Sequence, residues 1–313
     1  MCSPALAAGY NPGMDDVDYQ HAPISRDRVR HLRRLSDMRG LIHMAGHLAA
    51  LLMAGVLVAL APGPLWRLPA QALEGAILIF LFAPLHESIH RTAFKNRRLN
   101  DWVAAVLGFL IVLPADYFRF FHFAHHRYTQ NPERDPELSS PKPGTKAAWL
   151  WTVTGIPLWR SHITSVLLHA LGRTPEPYLA GNTAARQVVR EARIHLLLYA
   201  AIAVISVVLR TDAVIVFWVV PAVLGQPWLR LYLMAEHTGC PLTPDMLANS
   251  RTTLSNPVVR FFAWNMPYHA EHHSFPAVPF HALPALHADL APALKSTARG
   301  YIAVQREILG ALR

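Results

Sequence analysis

The stretch Asn265-Met266-Pro267-Tyr268-His269-Ala270-Glu271-His272-His273 places three imidazoles at i, i+3 and i+4. On a helix those positions share one side. Neutral imidazole is a borderline ligand that suits iron, zinc, copper and nickel. The arrangement has a twin upstream, His122-Phe123-Ala124-His125-His126, and a shorter relative, His86-Glu87-Ser88-Ile89-His90. A lone histidine on an apolar face is usually a core residue, but three clusters at helical spacing point to bound metal.

Composition says where such a site would lie. The chain has 313 residues, 52% hydrophobic and only 16% charged, against about a quarter charged in soluble domains. Long uncharged runs with sparse charge read as an integral membrane protein. The excess of 29 basic over 20 acidic residues sits beside the apolar runs, the pattern of membrane orientation rather than nucleic-acid binding. Two cysteines, Cys2 and Cys240, form neither a disulfide framework nor a Cys-x-x-Cys pair, so redox chemistry falls to the histidines. The N-terminus shows no basic segment followed by an apolar core, so no cleaved signal peptide is expected.

Residues 1–40 read as a cytoplasmic tail that turns basic toward the membrane, and residues 41–313 as one membrane domain. Leu41 to Ala61 lacks charge and is long enough to span a bilayer core of about 30 Å. His43 and His47 inside it are expected to make polar or packing contacts between helices. After Pro62-Gly63-Pro64, an apolar run from Gln71 to Leu85 returns and delivers His86 and His90 just past the hydrocarbon, with Arg91, Lys95, Arg97 and Arg98 following. Trp102 to Ala115 is too short to span and reads as re-entrant or interfacial. Residues 131–146 read as a loop, and Trp149, Trp151, Trp159 and Arg160 as one interfacial helix. Ile194–Leu209 and Ala213–Leu229 form a second hairpin turning at Arg210-Thr211-Asp212, with Pro221 expected to kink the latter. The expected fold is thus all-α: four transmembrane helices in two hairpins, interfacial helices and a cytoplasmic histidine-rich cap. In that topology every cluster, and His237, reaches the same membrane face.

His86, Glu87 and His90 alone match H-E-x-x-H, the zinc-protease pattern with Glu87 as base. A mononuclear zinc enzyme needs three protein ligands and an open position. Nine grouped histidines (His86, His90, His122, His125, His126, His237, His269, His272 and His273) are too many for one ion and would serve two ions with four or five each. Soluble di-iron bundles mostly use carboxylates. A shell of neutral imidazole leaves the site more positively charged.

The boxes His86-x-x-x-His90, His122-x-x-His125-His126 and His269-x-x-His272-His273, with the isolated His237, resemble those of the membrane fatty acid desaturase and hydroxylase superfamily. The likeness runs from about His86 to His287. It implies a non-haem centre of two Fe, O2 as co-substrate, and oxidation of an unactivated C–H bond on a lipid acyl chain. It also implies His237 as a ligand and Asn265 as a contact to metal through water. No cytochrome b5-like segment is seen, so the electrons would come from a separate ferredoxin-like or cytochrome b5-like carrier and its reductase. The reaction expected is fatty acid desaturation in a multi-pass membrane protein whose site faces the cytoplasm, as in a bacterial inner membrane. A lipid or carotenoid hydroxylase or ketolase on the same site is one alternative, and an intramembrane zinc protease a more distant one.

Glu87, Asp116, Asp135, Glu236 and Glu271 either orient ligand imidazoles or balance Arg119, Arg127 and Arg134, with Glu236 and Glu271 read as orienting groups. Phe118, Phe120, Phe121, Trp102 and Trp264 are candidates for a lipid channel, although aromatics near a membrane are more often anchors or packing. A shell of imidazoles implies iron loss as pH falls through about 6.

Overall fold

A computed structural model of the chain describes residues 24–140 and 142–313, and the first part of the N-terminal tail lies outside them. Among the described residues, four helices are long and apolar enough to cross a membrane: Asp37–Leu60, Pro64–His90, Thr183–Val208 and Ile215–His237. The first begins after Ser36, whose hydroxyl accepts the Arg39 N–H at 3.3 Å, a cap for an otherwise unpaired donor. It ends before Pro62-Gly63-Pro64, and Pro64 opens the next helix, where its missing N–H costs nothing. Large apolar side chains such as Leu52, Leu57, Leu60, Leu197, Val204 and Val207 face outward along the first and third of these helices. In water such a belt would be costly; in hydrocarbon it is the expected surface.

Two helices extend well beyond the apolar runs that announced them. The second begins at Pro64 rather than near Gln71 and, past a break at Phe80-Leu81, continues to His90, so His86 and His90 belong to its last turns. The third begins at Asn182, because Arg186, Arg190, Glu191 and Arg193 are compatible with a helix though not with a hydropathy window. The extension has a purpose: the Glu191 carboxylate accepts the Ala115 and Asp116 N–H groups, each at 2.8 Å. A carboxylate at a helix N-terminus satisfies orphan donors and complements the dipole. It fixes the helix Ala115–Tyr128, which carries the second histidine box.

The short run beginning at Trp102 is helical over Arg97–Leu110 and meets Ala115–Tyr128 at 101°. The corner is made by Val112 at φ 56° and a Leu113 N–H bond to the Gly108 carbonyl at 2.8 Å. A β-branched residue with positive φ is unusual, and here it reverses the chain before the box. The expected disturbance at Pro221 takes the form of a π-turn over Ile215–Val219, in which the Val220 N–H reaches the Ile215 carbonyl. The single helix expected around Trp149–Arg160 is two, Lys146–Val153 and Ile156–Ala170, separated at Gly155 with φ 72°.

The second and fourth helices touch backbone to backbone where Gly75 meets Gly225. A Cβ on Gly75 would lie 2.0 Å from the Pro221 carbonyl oxygen, and one on Gly225 would lie 2.1 Å from that of Gly75. Small residues at a crossing let membrane helices approach closely. Behind the boxes, the C-terminal segment closes the cap. Thr252–Leu254 pairs in parallel with Thr297–Arg299, and Tyr301–Ala311 packs on the fourth helix through stacked Tyr301 and Tyr232. Gln305 ties this helix down, donating to the Leu231 carbonyl and accepting from Trp149 Nε1.

Replacing Gly75 or Gly225 by Leu forces the crossing apart, with an expected loss of about 1–3 kcal/mol or more, seen as a lower thermal midpoint or loss of monodisperse protein in detergent. Gly310→Ala, where nothing lies within 4 Å, leaves the midpoint unchanged or slightly raised.

Candidate metal centre

All nine box histidines meet in one buried region. His86, His90, His122, His126 and His272 each offer a ring nitrogen within 4.8 Å of the others, and His125, His237 and His273 form a second such group. His269 joins the second group, its Nε2 lying 2.9 Å from His237 Nε2. The boxes come from four helices: the last turns of Phe82–His90, the C-terminal half of Ala115–Tyr128, the end of Val220–His237 and the six-residue helix His269–Ser274. The last of these follows Trp264 and Asn265, both at positive φ, a tight turn that starts the box in a new direction.

Ring nitrogens face one another at close range. Nε2–Nε2 separations are 2.6 Å for His86–His122, 2.9 Å for His122–His126, 3.2 Å for His126–His272 and 3.2 Å for His125–His237. A neutral imidazole has one N–H and one acceptor nitrogen, so a ring of such contacts cannot satisfy every member by hydrogen bonds alone. His90 Nε2, His126 Nδ1, His272 Nδ1 and His273 Nε2 are buried without hydrogen-bond partners among the described residues. Buried polar atoms are ordinarily paired, and a donor set rich in unpaired neutral imidazole nitrogen suits a first-row transition metal.

The second group is steered from outside. His125 Nδ1 lies 2.9 Å from Asp135 Oδ1 and 3.3 Å from Glu137 Oε2, His237 Nδ1 is 3.1 Å from the Asn249 carbonyl, and His273 Nδ1 is 3.2 Å from Thr129 Oγ1. An imidazole held through Nδ1 is presented through Nε2. Burial pushes the Asp135 carboxyl up, but the bond to His125 and those from the Gln130 and Glu137 backbone N–H groups outweigh it, keeping the group below its usual range and ionised. Glu236 Oε1 stands 3.3 Å from His269 Nδ1, without the alignment of a hydrogen bond.

Other expected residues have partners outside the boxes. Glu271 contacts Thr252 and His287 rather than a box imidazole. Asp116 pairs with Arg119. Asn265 donates to the Phe280 carbonyl at 3.1 Å. Glu87 accepts from Thr92 and the Phe280 N–H and does not line the cavity, which leaves H-E-x-x-H without a base placed for hydrolysis. His43 and His47 reach the Phe261 and Ile77 carbonyls, the interhelical contacts expected of them. Thr129, Glu137 and Asn249 were not foreseen; a threonine four residues after His125 and a carboxylate two after Asp135 are visible in the sequence, whereas Asn249 carries no local signal.

A cavity of about 1390 Å³ opens onto His86, His90, His122, His125 and His269. It exceeds the roughly 300–1,000 Å³ of usual small-ligand pockets. Phe118, Phe120 and Phe121 line it, together with Ile79, Phe82, Leu229 and Leu233. Trp264 does not; it is fully buried against Phe280 and His43. Trp102 points away and is 72% exposed.

Burial, then the neighbouring imidazoles, holds His269, His272 and His273 well below the ordinary 6.5, so they stay neutral in the folded chain. The onset of metal loss is therefore expected below pH 6, lower than the free-imidazole value suggested. These folded values lie under the unfolded ones, so below about 6.5 the unfolded chain binds more protons and stability falls with pH. In metal-free protein the unfolding free energy should fall as pH is lowered from 6.5, by up to about 1.4 kcal/mol per pH unit for each such histidine, read as a steadily falling thermal midpoint; a flat profile contradicts this burial.

The profile of the fatty acid desaturase family matches residues 62–305, well over half of the chain. An sn-1 oleoyl-lipid 12-desaturase of Picosynechococcus sp. is 27% identical over 199 residues, 61% of this chain and 56% of the relative's length. A protein of the same description from Arthrospira platensis is 25% identical over 241 residues, 72% and 68% of the two chains. A sphingolipid delta(4)-desaturase/C4-monooxygenase of Rattus norvegicus is 25% identical over 277 residues, 85% and 81%. With the family profile spanning the helices that carry every histidine box, the chain belongs to the fatty acid desaturase family.

Proposed function

We propose that the protein is an O2-dependent, membrane-bound oxidoreductase that desaturates a lipid acyl chain at a di-iron centre held by the nine box histidines. The observation that carries this reading is their division into adjacent groups: His86, His90, His122, His126 and His272 for one ion, and His125, His237, His269 and His273 for the other. Iron bound there would supply activation of O2, with electrons from a separate ferredoxin-like or cytochrome b5-like carrier, for removal of hydrogen from an unactivated C–H bond.

The chain's own residues supply geometry and exclusion. Asp135, the Asn249 carbonyl and Thr129 hold three imidazoles by Nδ1, which keeps Nε2 free for metal. The apolar wall of Phe82, Phe118, Leu229 and Leu233 accepts methylene groups and keeps bulk water from the reacting carbon. Regiochemistry follows from how far a chain reaches along the cavity before a C–H bond lies beside the histidines. Hydroxylation begins with the same abstraction, and the rat relative is described as both desaturase and monooxygenase. The arginines between the tail and the first span, and after His90, favour placing the site on the cytoplasmic side.

Comparing lipid extracts of cells expressing the chain or its His126→Ala form tests the reaction: a new double bond, seen by mass spectrometry only with the unaltered chain, is expected. Lipids that do not differ between the two would contradict it. His272→Ala should likewise abolish oxidation, whereas a zinc protease built on His86 and His90 would keep its activity. Asp135→Asn should weaken iron retention by about 10–100-fold while leaving the fold intact, measured as iron per chain after dialysis against chelator.

A further inference from the structure

Part of the cavity lining is polar where an acyl chain would call for hydrocarbon. Gln226 and Arg230 stand four residues apart on the fourth spanning helix and therefore share a face. His162, on the helix Ile156–Ala170, lines the same cavity, close enough to Arg230 to feel its charge. The two helices are locked together here: a Cβ on Gly155, the residue that precedes the His162 helix, would fall 2.5 Å from Gln226 Cβ.

Each of these polar groups has a buried atom without a hydrogen-bond partner among the described residues. Gln226 is 1% exposed, yet its Oε1 has no hydrogen bond among the described residues. Arg230 Nε and His162 Nδ1 are also buried and unpaired. Arg230 forms no ion pair among the described residues, although Glu137 and Glu236 attract it from a distance. Burial, then Arg230, lowers His162 to about 3, so its ring is neutral. A carbonyl such as that of Val112 can only accept the ring's single N–H, so the partnerless Nδ1 is assigned as the acceptor. The wall thus offers a fixed donor, a fixed acceptor and an amide that can present either. A chain of methylenes packed on it would leave all of these unsatisfied, and buried unsatisfied groups are costly.

We propose that Gln226, Arg230 and His162 form a polar subsite that selects lipids carrying a hydroxyl or amide group, which both donates and accepts, near the acyl chain to be oxidised. The inference rests on the lipid-oxidation reading and narrows its substrate class. An ester carbonyl accepts only, so it could answer Arg230 but not His162.

The full chain in lipid nanodiscs can be titrated with the ethanolamide of stearic acid, which carries both an amide and a hydroxyl, and with the propyl ester of the same acid. The ethanolamide should bind at least about tenfold more tightly, equivalent to about 1.4 kcal/mol. Gln226→Leu and, separately, His162→Phe should each bring that ratio to about threefold or less, with circular dichroism and iron content unchanged. Equal affinities for the unaltered chain, no binding of the ethanolamide, or a ratio unmoved by both substitutions would overturn the subsite. If either variant fails to fold, the comparison of the two lipids on the unaltered chain still decides. A retained preference without oxidation of either lipid supports the subsite and refutes the proposed reaction, whereas oxidation of the ester with equal affinities refutes the subsite alone.

Discussion

Everything in this fold answers to the packing of nine imidazoles into one buried cluster at the end of a cavity. Such rings cannot all satisfy one another through a single N–H each, and His86 and His122 already approach to 2.6 Å between Nε2 atoms. Burial and the neighbouring rings keep His269, His272 and His273 neutral, whereas at His125 burial is outweighed by Glu137 and Asp135, which favour its charged form. What remains is a dense array of lone pairs, stable only if something electron-poor shares it and if every helix that delivers a ring is held rigidly.

The holding is done at a distance from the rings. Glu191, on the third spanning helix, caps the helix of the second box. The glycine crossing at Gly75 and Gly225 draws together the helices that end in His90 and His237. Asp135, itself fixed by the Gln130 and Glu137 backbone, turns His125. Spans, corner and loop thus converge on the same array, and the cavity that reaches it is apolar along the side formed by Phe118, Leu229 and Leu233.

Much of this was legible in the chain. Histidine spacing grouped eight of the nine residues that converge, because i, i+3 and i+4 positions share a helix face, whereas the isolated His237 was reached through topology and the family resemblance. Hydropathy located the four spans and prolines marked their breaks. It mislaid helix starts, since the polar first turns of the helices beginning at Pro64 and Asn182 are invisible to an apolar window. Partners that depend on tertiary folding were out of reach: nothing local says that Glu191 caps a distant helix or that Asn249 offers its carbonyl to His237. The cap built from Thr252–Leu254, Thr297–Arg299 and Tyr301–Ala311 was equally unmarked, because strands of three residues carry no periodicity.

The account stands or falls on what the imidazoles hold. Metal analysis of purified, active protein, combined with Mössbauer spectroscopy of iron-57-enriched material, reads this directly. Two irons per chain in nitrogen-rich surroundings are predicted; active protein containing a single zinc and no iron would contradict it.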